Sequence, residues 1–220
     1  MNVSEIFAAH PPRAAWSRPE DAIPVLPDET GNAAKVWTIM QHLTLGTGKW
    51  AGTPFSERAM EWQRRGVSAV LGPAPANPED RHWVSTWFIE SSKKQAKSAF
   101  SALFTLAYVL AFPEPDGRYY LLASNKQSAS LLYDPLQAAI LNDPHLSKLC
   151  NVRAYKRDVI VYETGQEIKC LALDLESTVG MVAQFVAIDE LHLITRNRRG
   201  QHMLGQLWSG LSVTGGLSVV

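Results

Sequence analysis

Cysteine, net charge and long apolar runs are all scarce in this sequence. Cys150 and Cys170 are its two cysteines, too few for a disulfide framework, so we expect buried free thiols of the kind found in cytosolic proteins. Basic and acidic residues number 21 each, so no strongly basic face is evident for the whole chain, which leaves room for a local basic patch. No secretory signal is evident, and the apolar run after Ser98 is too short and interrupted to span a membrane.

The proportions of hydrophobic and charged residues favour one globular α/β unit. The chain is 46% hydrophobic and 19% charged, which suits a single domain with a substantial core. Residues 1–33 are rich in proline and acidic residues, and we interpret them as an extended arm with little regular structure. Residues 34–220 alternate predicted strands with predicted helices, which indicates a mainly parallel sheet with helices on both faces.

Local patterns predict the elements of this sheet. Helical spacing predicts helices, and short apolar runs bounded by turn residues predict strands. The predicted helices are Ala34–Leu43, Ser56–Leu71, Lys97–Ala111, Lys126–Ile140, His145–Cys150 and Gln201–Leu211. The predicted strands are His82–Ile89, Arg118–Ala123, Val159–Tyr162, Ile168–Leu173, Phe185–Ile188 and Leu217–Val220, with a hairpin turn at 163–167 and a basic loop at 196–200.

The stretch Trp87–Ala111 carries the main functional pattern. An apolar run is followed by a polar, basic loop and then by a Lys-Ser pair that opens an apolar helix, which is the order of a phosphate-binding loop. The first N–H groups of a helix have no intrahelical acceptor, and the helix dipole is positive there. Lys97 can therefore reach the β- and γ-phosphates of a nucleotide, and the Ser98 hydroxyl can ligate Mg²⁺.

Both glycines of the usual pattern G-x-x-x-x-G-K-[ST] are missing from this loop. Ser91 and Ala96 occupy the two positions, so the loop alone is also compatible with a surface loop that caps a helix. A separate glycine-rich stretch, Gly46–Gly52, contains GTGK. We expect no phosphate site there, because no strand precedes it and no apolar helix follows.

Two adjacent acids follow the apolar run Phe185–Ile188. Ligands of open α/β sheets bind at the carboxyl ends of the strands, so Asp189 can hold Mg²⁺ through water. Glu190 can orient and deprotonate the water that attacks the γ-phosphate. The alternative is a strand that ends in a solvated acidic turn. Because a strand–Lys-Ser–helix unit precedes this run in an alternating chain, we favour the metal and base roles.

Four segments, in this order, resemble the N-terminal ATPase region of the large terminase subunits of tailed phages. Residues 48–55 followed by Glu61-Trp62-Gln63 are similar to the family's stretch that ends in a W-Q adenine-pocket motif. Residues 92–98, SKKQAKS, resemble its phosphate loop, which is often P-R-K-N-G-K-S. Residues 121–129 resemble the strand-to-helix segment after that loop, and residues 186–192, VAIDELH, are similar to an apolar-D-E-L-H run. The resemblance extends from about residue 36 to residue 220.

This resemblance implies a P-loop NTPase fold of the additional-strand, catalytic-glutamate type, with ATP and Mg²⁺ as cofactors. The implied nucleotide contacts are Ser92, Lys93, Lys94, Gln95, Ala96, Lys97 and Ser98 in the loop, with Gln63 reading the adenine edge and Trp62 packing beside it. Ser98 and Asp189 would support the metal, Glu190 would be the catalytic base, and Lys93 would contact the γ-phosphate. The chain departs from the family at Ala96, whose methyl group crowds the phosphate, and at Lys93, which lacks the planar fork of arginine.

The function that the resemblance implies is ATP hydrolysis by a DNA-packaging motor. Such a motor drives double-stranded DNA into the procapsid as a homo-oligomeric ring on the portal, in the host cytoplasm, with the portal protein and a small terminase subunit as partners and no membrane. Family members continue into a nuclease domain, which we expect to be absent here. Two alternatives stay open, a helicase-like P-loop ATPase and a non-catalytic module whose degenerate loop no longer binds ATP.

Residues after Asp189 and Glu190 are weaker candidates for functional roles. Arg196, Arg198 and Arg199 suit an arginine finger or a DNA contact, although a solvated basic loop is the simpler interpretation. His192 suits either contact with the γ-phosphate or packing. The family's coupling motif is a poor match to residues 212–214, because they precede a Gly-Gly turn instead of ending a strand.

Overall fold

The computed structural model describes residues 26–90, 95–172, 182–196 and 198–220. Within these ranges the helices are α1 (Asn32–His42), α2 (Glu61–Leu71), α3 (Lys97–Ala111), α4 (Lys126–Leu141), α5 (Leu146–Leu149), α6 (Leu191–Ile194) and α7 (Arg198–Thr214). The strands are β1 (Thr86–Trp87), β2 (Arg118–Ala123), β3 (Cys150–Arg153), β4 (Asp158–Val161), β5 (Glu167–Ala172), β6 (Phe185–Ile188) and β7 (Leu217–Val219). A short 3-10 helix, Phe55–Glu57, precedes α2.

These seven strands form one sheet in the order β1-β7-β6-β2-β5-β4-β3. The strands β1, β7, β6, β2 and β5 are parallel, whereas β3 and β4 form an antiparallel hairpin at one end. β7 lies between β1 and β6, so an inserted strand separates the strand before the loop from the strand before the acids. The predicted α/β fold with a mainly parallel sheet is confirmed.

Helices cover both faces of the sheet. On one face α1 to α4 enclose the larger core, in which Met40, Phe104 and Leu136 are fully buried. On the other face Leu207 of α7 packs with Val186 of β6 in a smaller core. Because α3 is buried along most of its length, its first turn is held at a fixed place on the edge of the sheet.

The far end of α3 is fixed by a buried polar cluster. The side-chain amide of Gln166 donates to the hydroxyl of Tyr119 over 2.8 Å and to the carbonyl of Phe112 over 3.0 Å. The His82 Nε2 atom lies 2.5 Å from the hydroxyl of Tyr108. Burial lowers the pKa of His82 to about 4, so the imidazole is uncharged at neutral pH and can accept a hydrogen bond from the tyrosine.

Both thiols are buried and free. Burial raises the pKa of Cys150 to about 11 and raises that of Cys170 further, because a thiolate in an apolar environment loses its hydration. The two cysteines therefore behave as small apolar core residues, as predicted. None of the helices within the described ranges combines the length and the hydropathy that a membrane crossing needs.

Two predicted elements near the start of the domain are shorter than expected. The predicted strand His82–Ile89 is observed as β1 over Thr86–Trp87, and backbone hydrogen bonds to the β7 segment extend from Ser85 to Ile89. The predicted helix Ser56–Leu71 begins at Glu61, so Ser56 is not its cap. Instead the side-chain oxygen of Gln63 accepts the backbone N–H of Met60 over 2.8 Å and closes the start of the helix.

Two regions of the second half were assigned wrongly. The predicted basic loop at residues 196–200 is partly helical, because α7 begins at Arg198. Gly200 permits this start, since a Cβ atom there would lie 1.9 Å from the carbonyl oxygen of Ile194. The predicted helix His145–Cys150 is observed over Leu146–Leu149, and strand β3, which the sequence did not reveal, begins at Cys150. Arg153 holds this strand to β4 through a bidentate ion pair with Asp158.

Candidate nucleotide site

The start of α3 and the end of β6 meet at the carboxyl edge of the sheet. The hydroxyl of Ser98 donates a hydrogen bond of 2.6 Å to the carboxylate of Asp189, which lies 91 residues further along the chain. The backbone N–H of Asp189 donates to the carbonyl of Leu122 over 2.9 Å, which anchors the acid to β2. The structure therefore brings together the two predicted Mg²⁺ ligands, and both supply the oxygen atoms that this ion prefers.

Ala96, which occupies the second glycine position of the usual phosphate-loop pattern, has a left-handed backbone conformation. Its φ is 55° and its ψ is 29°, in the left-handed region, and its methyl group is exposed. Glycine enters this region without strain, whereas an L-residue pays about 1–2 kcal/mol. The carbonyl of Ala96 still accepts the N–H of Phe100 over 2.8 Å, so the helix begins normally. Alanine therefore makes this turn less favourable than glycine would, and the helix still begins at Lys97.

We expect Ala96→Gly to bind Mg–ATP several-fold more tightly than the native chain. The substitution removes the methyl group, which opposes a close approach of phosphate to the backbone. Titration with ATP in the presence of Mg²⁺ measures the effect. Asp116→Gly is the matched control, because Asp116 also has a positive φ, of 54°, but lies in a turn at the other edge of the sheet. Equal or weaker binding by Ala96→Gly would contradict this account of the loop.

The W-Q segment lies against the first turns of α3. The ring of Trp62 contacts Phe100 edge-on, with centroids 5.2 Å apart, and Trp87 of β1 contacts the same ring at 5.6 Å. Gly66 lets α2 approach this cluster, since a Cβ atom there would lie 2.3 Å from the Trp87 ring. Gln63 is 1% exposed, and its side-chain oxygen is already used by the start of α2. Trp62 therefore packs as predicted, while adenine recognition by Gln63 stays a prediction.

Glu190 follows Asp189 in an unusual backbone conformation. Its φ of 55° places it in the left-handed region, where residues other than glycine are uncommon and often belong to functional sites. The residue caps α6, and its side chain is exposed at the edge of the sheet. The turn directs the chain away from β6 immediately after Asp189. This placement fits a carboxylate that reaches water beside a bound phosphate.

Part of the predicted loop lies outside the described residues, namely Ser92, Lys93 and Lys94. The roles predicted for these residues therefore stay predictions. Gln95 and Lys97 are described and partly exposed next to Ala96. The part of the site that the structure describes is thus the helix-side half of the loop together with the acids after β6.

The weaker candidates from the sequence are partly exposed side chains and partly residues with structural hydrogen bonds. Arg196, Arg198 and Arg199 are exposed around the start of α7, and His192 is exposed on α6. The hydroxyl of Thr214 donates to the carbonyl of Ala183 over 2.5 Å and thus helps to close the end of α7. The hydroxyl of Ser212 bonds to a carbonyl within α7.

A pair of hydroxyl groups that the sequence analysis missed joins β1 to β7. The side chains of Thr86 and Ser218 are 2.8 Å apart, and Ser218 also donates to the carbonyl of Ser85 over 3.1 Å. Ser218 is completely buried. The pair fixes the strand before the loop to the inserted strand. A serine inside the apolar run Leu217–Val219 is the signal that could have indicated it.

Comparison with known proteins identifies the family. The profile of the terminase large subunit ATPase domain matches residues 61–208, which is more than half of the chain. The large terminase of bacteriophage HK97 has a similar fold, with a TM-score of 0.66 and 14% identity over 86% of this chain and 37% of that one. The large terminase ATPase domain of Thermus phage P74-26 matches with a TM-score of 0.46 and 14% identity, over 61% of this chain and 57% of that one. No curated protein sequence is significantly similar. The chain therefore belongs to the family of terminase large subunit ATPase domains.

Proposed function

We propose that this chain is the ATPase unit of a phage DNA-packaging motor and that it hydrolyses ATP where Ser98 meets Asp189. The observation that carries the proposal is the 2.6 Å hydrogen bond between these two side chains at the start of the buried helix α3. Family membership supports the use of a nucleotide. The chain spans 37% of the length of the HK97 protein, so translocation of double-stranded DNA, a homo-oligomeric ring, the portal protein and a small terminase subunit are all part of the proposal.

Each residue of the site has a separate role in phosphoryl transfer. Lys97 and the first N–H groups of α3 bind the β- and γ-phosphates. Ser98 and Asp189 would hold Mg²⁺, which offsets the negative charge of the phosphates when it is bound. Glu190 orients the attacking water and accepts its proton. Lys93 is the cation proposed for the γ-phosphate from the part of the loop outside the described ranges.

The alternatives gain no support from the part of the chain that the structure describes. A loop that binds Mg–ATP needs a tight turn before its helix and oxygen ligands at the metal position, and residue 96 and the Ser98–Asp189 pair supply them. Both features oppose a purely non-catalytic module. The helicase-like alternative shares the same site, and family membership favours the packaging ATPase over it.

A thermal shift measurement tests the proposal. Mg–ATP at about 100 times its Kd stabilises the folded state by about 2.7 kcal/mol, which raises the Tm of a domain of this size by roughly 5–10 °C. Ser98→Ala is expected to lose most of the Mg²⁺-dependent part of this shift. Ser209→Ala is the control, because Ser209 is exposed in α7. A folded native chain whose Tm does not respond to millimolar Mg–ATP would refute the proposal.

A further inference from the structure

An exposed aromatic and basic turn lies at the hairpin end of the sheet. The turn, Ala154–Arg157, joins β3 to β4, and we call Tyr155, Lys156 and Arg157 the hairpin tip. Tyr155 is 82% exposed, more than any other large apolar or aromatic side chain within the described ranges. The ammonium group of Lys156 lies 5.6 Å from the centre of the Tyr155 ring. An aromatic ring and a cation are therefore displayed together, away from any core.

The hairpin beneath this tip is rigid. The guanidinium of Arg153 donates two hydrogen bonds, of 2.6 and 2.5 Å, to the buried carboxylate of Asp158 and a third, of 2.7 Å, to Glu167. Glu167 is also paired with Arg118 at 3.0 Å and with Lys169 at 2.9 Å. Three cations thus surround two carboxylates. These acids are already neutralised, so they do not offset the charge of the hairpin tip.

The register of the strands places the hairpin tip at the carboxyl edge of the sheet. Asp158 at the start of β4 pairs with Lys169 in β5, and the carbonyl of Arg157 accepts the N–H of Cys170. The turn therefore extends past the carboxyl half of β5, towards the edge that holds the nucleotide site. β4 is three strands from β6, which corresponds to about 14 Å at the usual strand spacing.

Further cations follow the carboxyl ends of β2 and β6, at the same edge of the sheet. Lys126 opens α4 directly after β2, and Arg196 and Arg198 follow β6 near the start of α7. All three are exposed. A chain with balanced charge thus places several exposed cations at the edge of the sheet that also holds Asp189 and Glu190.

We propose that the hairpin tip contacts the phosphate backbone of double-stranded DNA. Lysine pairs with phosphate oxygens and the tyrosine hydroxyl donates to them, while the half-buried Arg157 adds positive charge beside them, so the hairpin tip forms a contact that does not depend on sequence. The ion pairs of Arg153 fix the strands on both sides of the turn before the DNA arrives, which reduces the backbone entropy lost on binding. The choice of DNA as the polyanion rests on the proposed function. The contact itself rests on the exposure, charge and rigidity of the hairpin tip.

Binding of a labelled duplex of arbitrary sequence, followed by fluorescence anisotropy at several salt concentrations, tests this inference. Tyr155→Ala/Lys156→Ala is expected to bind about tenfold more weakly at low salt, and the slope of log K against log salt should fall by about one. Lys148→Ala/Tyr162→Ala is the matched control. It removes an exposed lysine and a 62% exposed tyrosine from the opposite end of the same hairpin, and we expect it to bind like the native chain.

Three results would overturn the inference: unchanged affinity in the tip variant, equal weakening in the control, or no binding of the duplex by the native chain. Reduced self-association of the tip variant with unchanged DNA affinity would overturn it as well, because the hairpin tip would then contact a second copy of the chain. The response of the Tm to Mg–ATP should be the same in both variants. A native chain that binds DNA through the hairpin tip but does not respond to Mg–ATP would support this inference and refute the proposed ATPase site.

Discussion

Alanine in place of Lys97 is expected to reduce ATP hydrolysis to the background rate and to weaken ATP binding on the order of ten- to a hundredfold. The lysine is the first residue of α3, at the edge of the sheet where the Ser98 hydroxyl meets Asp189. Its loss removes the cation proposed for the β- and γ-phosphates and leaves the N–H groups of the helix in place. The hydrophobic core begins only at Phe100, so we expect the melting temperature without ligand to change little.

Lys126 provides a closely matched control for this substitution. It is also the first residue of a helix that follows a parallel strand, and it lies at the same edge of the sheet. Lys126→Ala should hydrolyse ATP at the native rate, because the acids after β6 lie opposite α3 and not α4. Phosphate release and isothermal titration measure the two effects. Unchanged ATP affinity in Lys97→Ala would show that the loop binds no phosphate.

The sequence predicted best those elements whose burial is complete. The bounds of α3, β2 and β6 agree with the predicted ranges Lys97–Ala111, Arg118–Ala123 and Phe185–Ile188. Each is an almost unbroken apolar run, and such a run is stable only when it is buried in the core. The contact between Ser98 and Asp189 follows from the same facts, because parallel strands bring their carboxyl ends to one edge.

The elements that depend on specific contacts, and not on the burial of an apolar run, were predicted poorly. Strand β3 has little apolar character, and it depends on the pairing of Arg153 with Asp158 in β4. The start of α7 depends on the close approach of Gly200 to Ile194, which no local pattern contains. Such contacts join residues whose proximity is set by the tertiary fold, so propensity and periodicity do not indicate them.

In the candidate site, too, the sequence predicted the residue types but not the backbone geometry. Its residue types were evident from the sequence, including the absence of glycine at position 96. The left-handed conformations of Ala96 and Glu190 were not, because neither residue favours positive φ. The use of the Gln63 oxygen to close α2 was also hidden, since it depends on where that helix begins. Backbone geometry therefore adds the information on strain and on which polar atoms are already bonded.

Replacing Glu190 by glutamine is expected to lower ATP hydrolysis by about two to four decades while Mg–ATP still binds. Glutamine has nearly the same shape as glutamate, so the left-handed turn at φ 55° and the start of α6 should be kept. What is lost is a carboxylate that can accept the proton of the attacking water. Single-turnover hydrolysis, measured together with the Tm shift caused by Mg–ATP, separates chemistry from binding.

Two further substitutions make the assignment of Glu190 decisive. Glu163→Gln changes an exposed glutamate in the turn between β4 and β5, at the opposite edge of the sheet, and should leave the rate unchanged. Asp189→Asn replaces the carboxylate that accepts the Ser98 hydrogen bond by a neutral amide, so it should reduce Mg²⁺-dependent binding as well as hydrolysis. The contrast between a loss of turnover alone at Glu190 and a loss of both at Asp189 distinguishes a base from a metal ligand. Near-native turnover by Glu190→Gln at neutral pH would place the base elsewhere, and a parallel loss of Mg–ATP binding would make Glu190 part of the metal site.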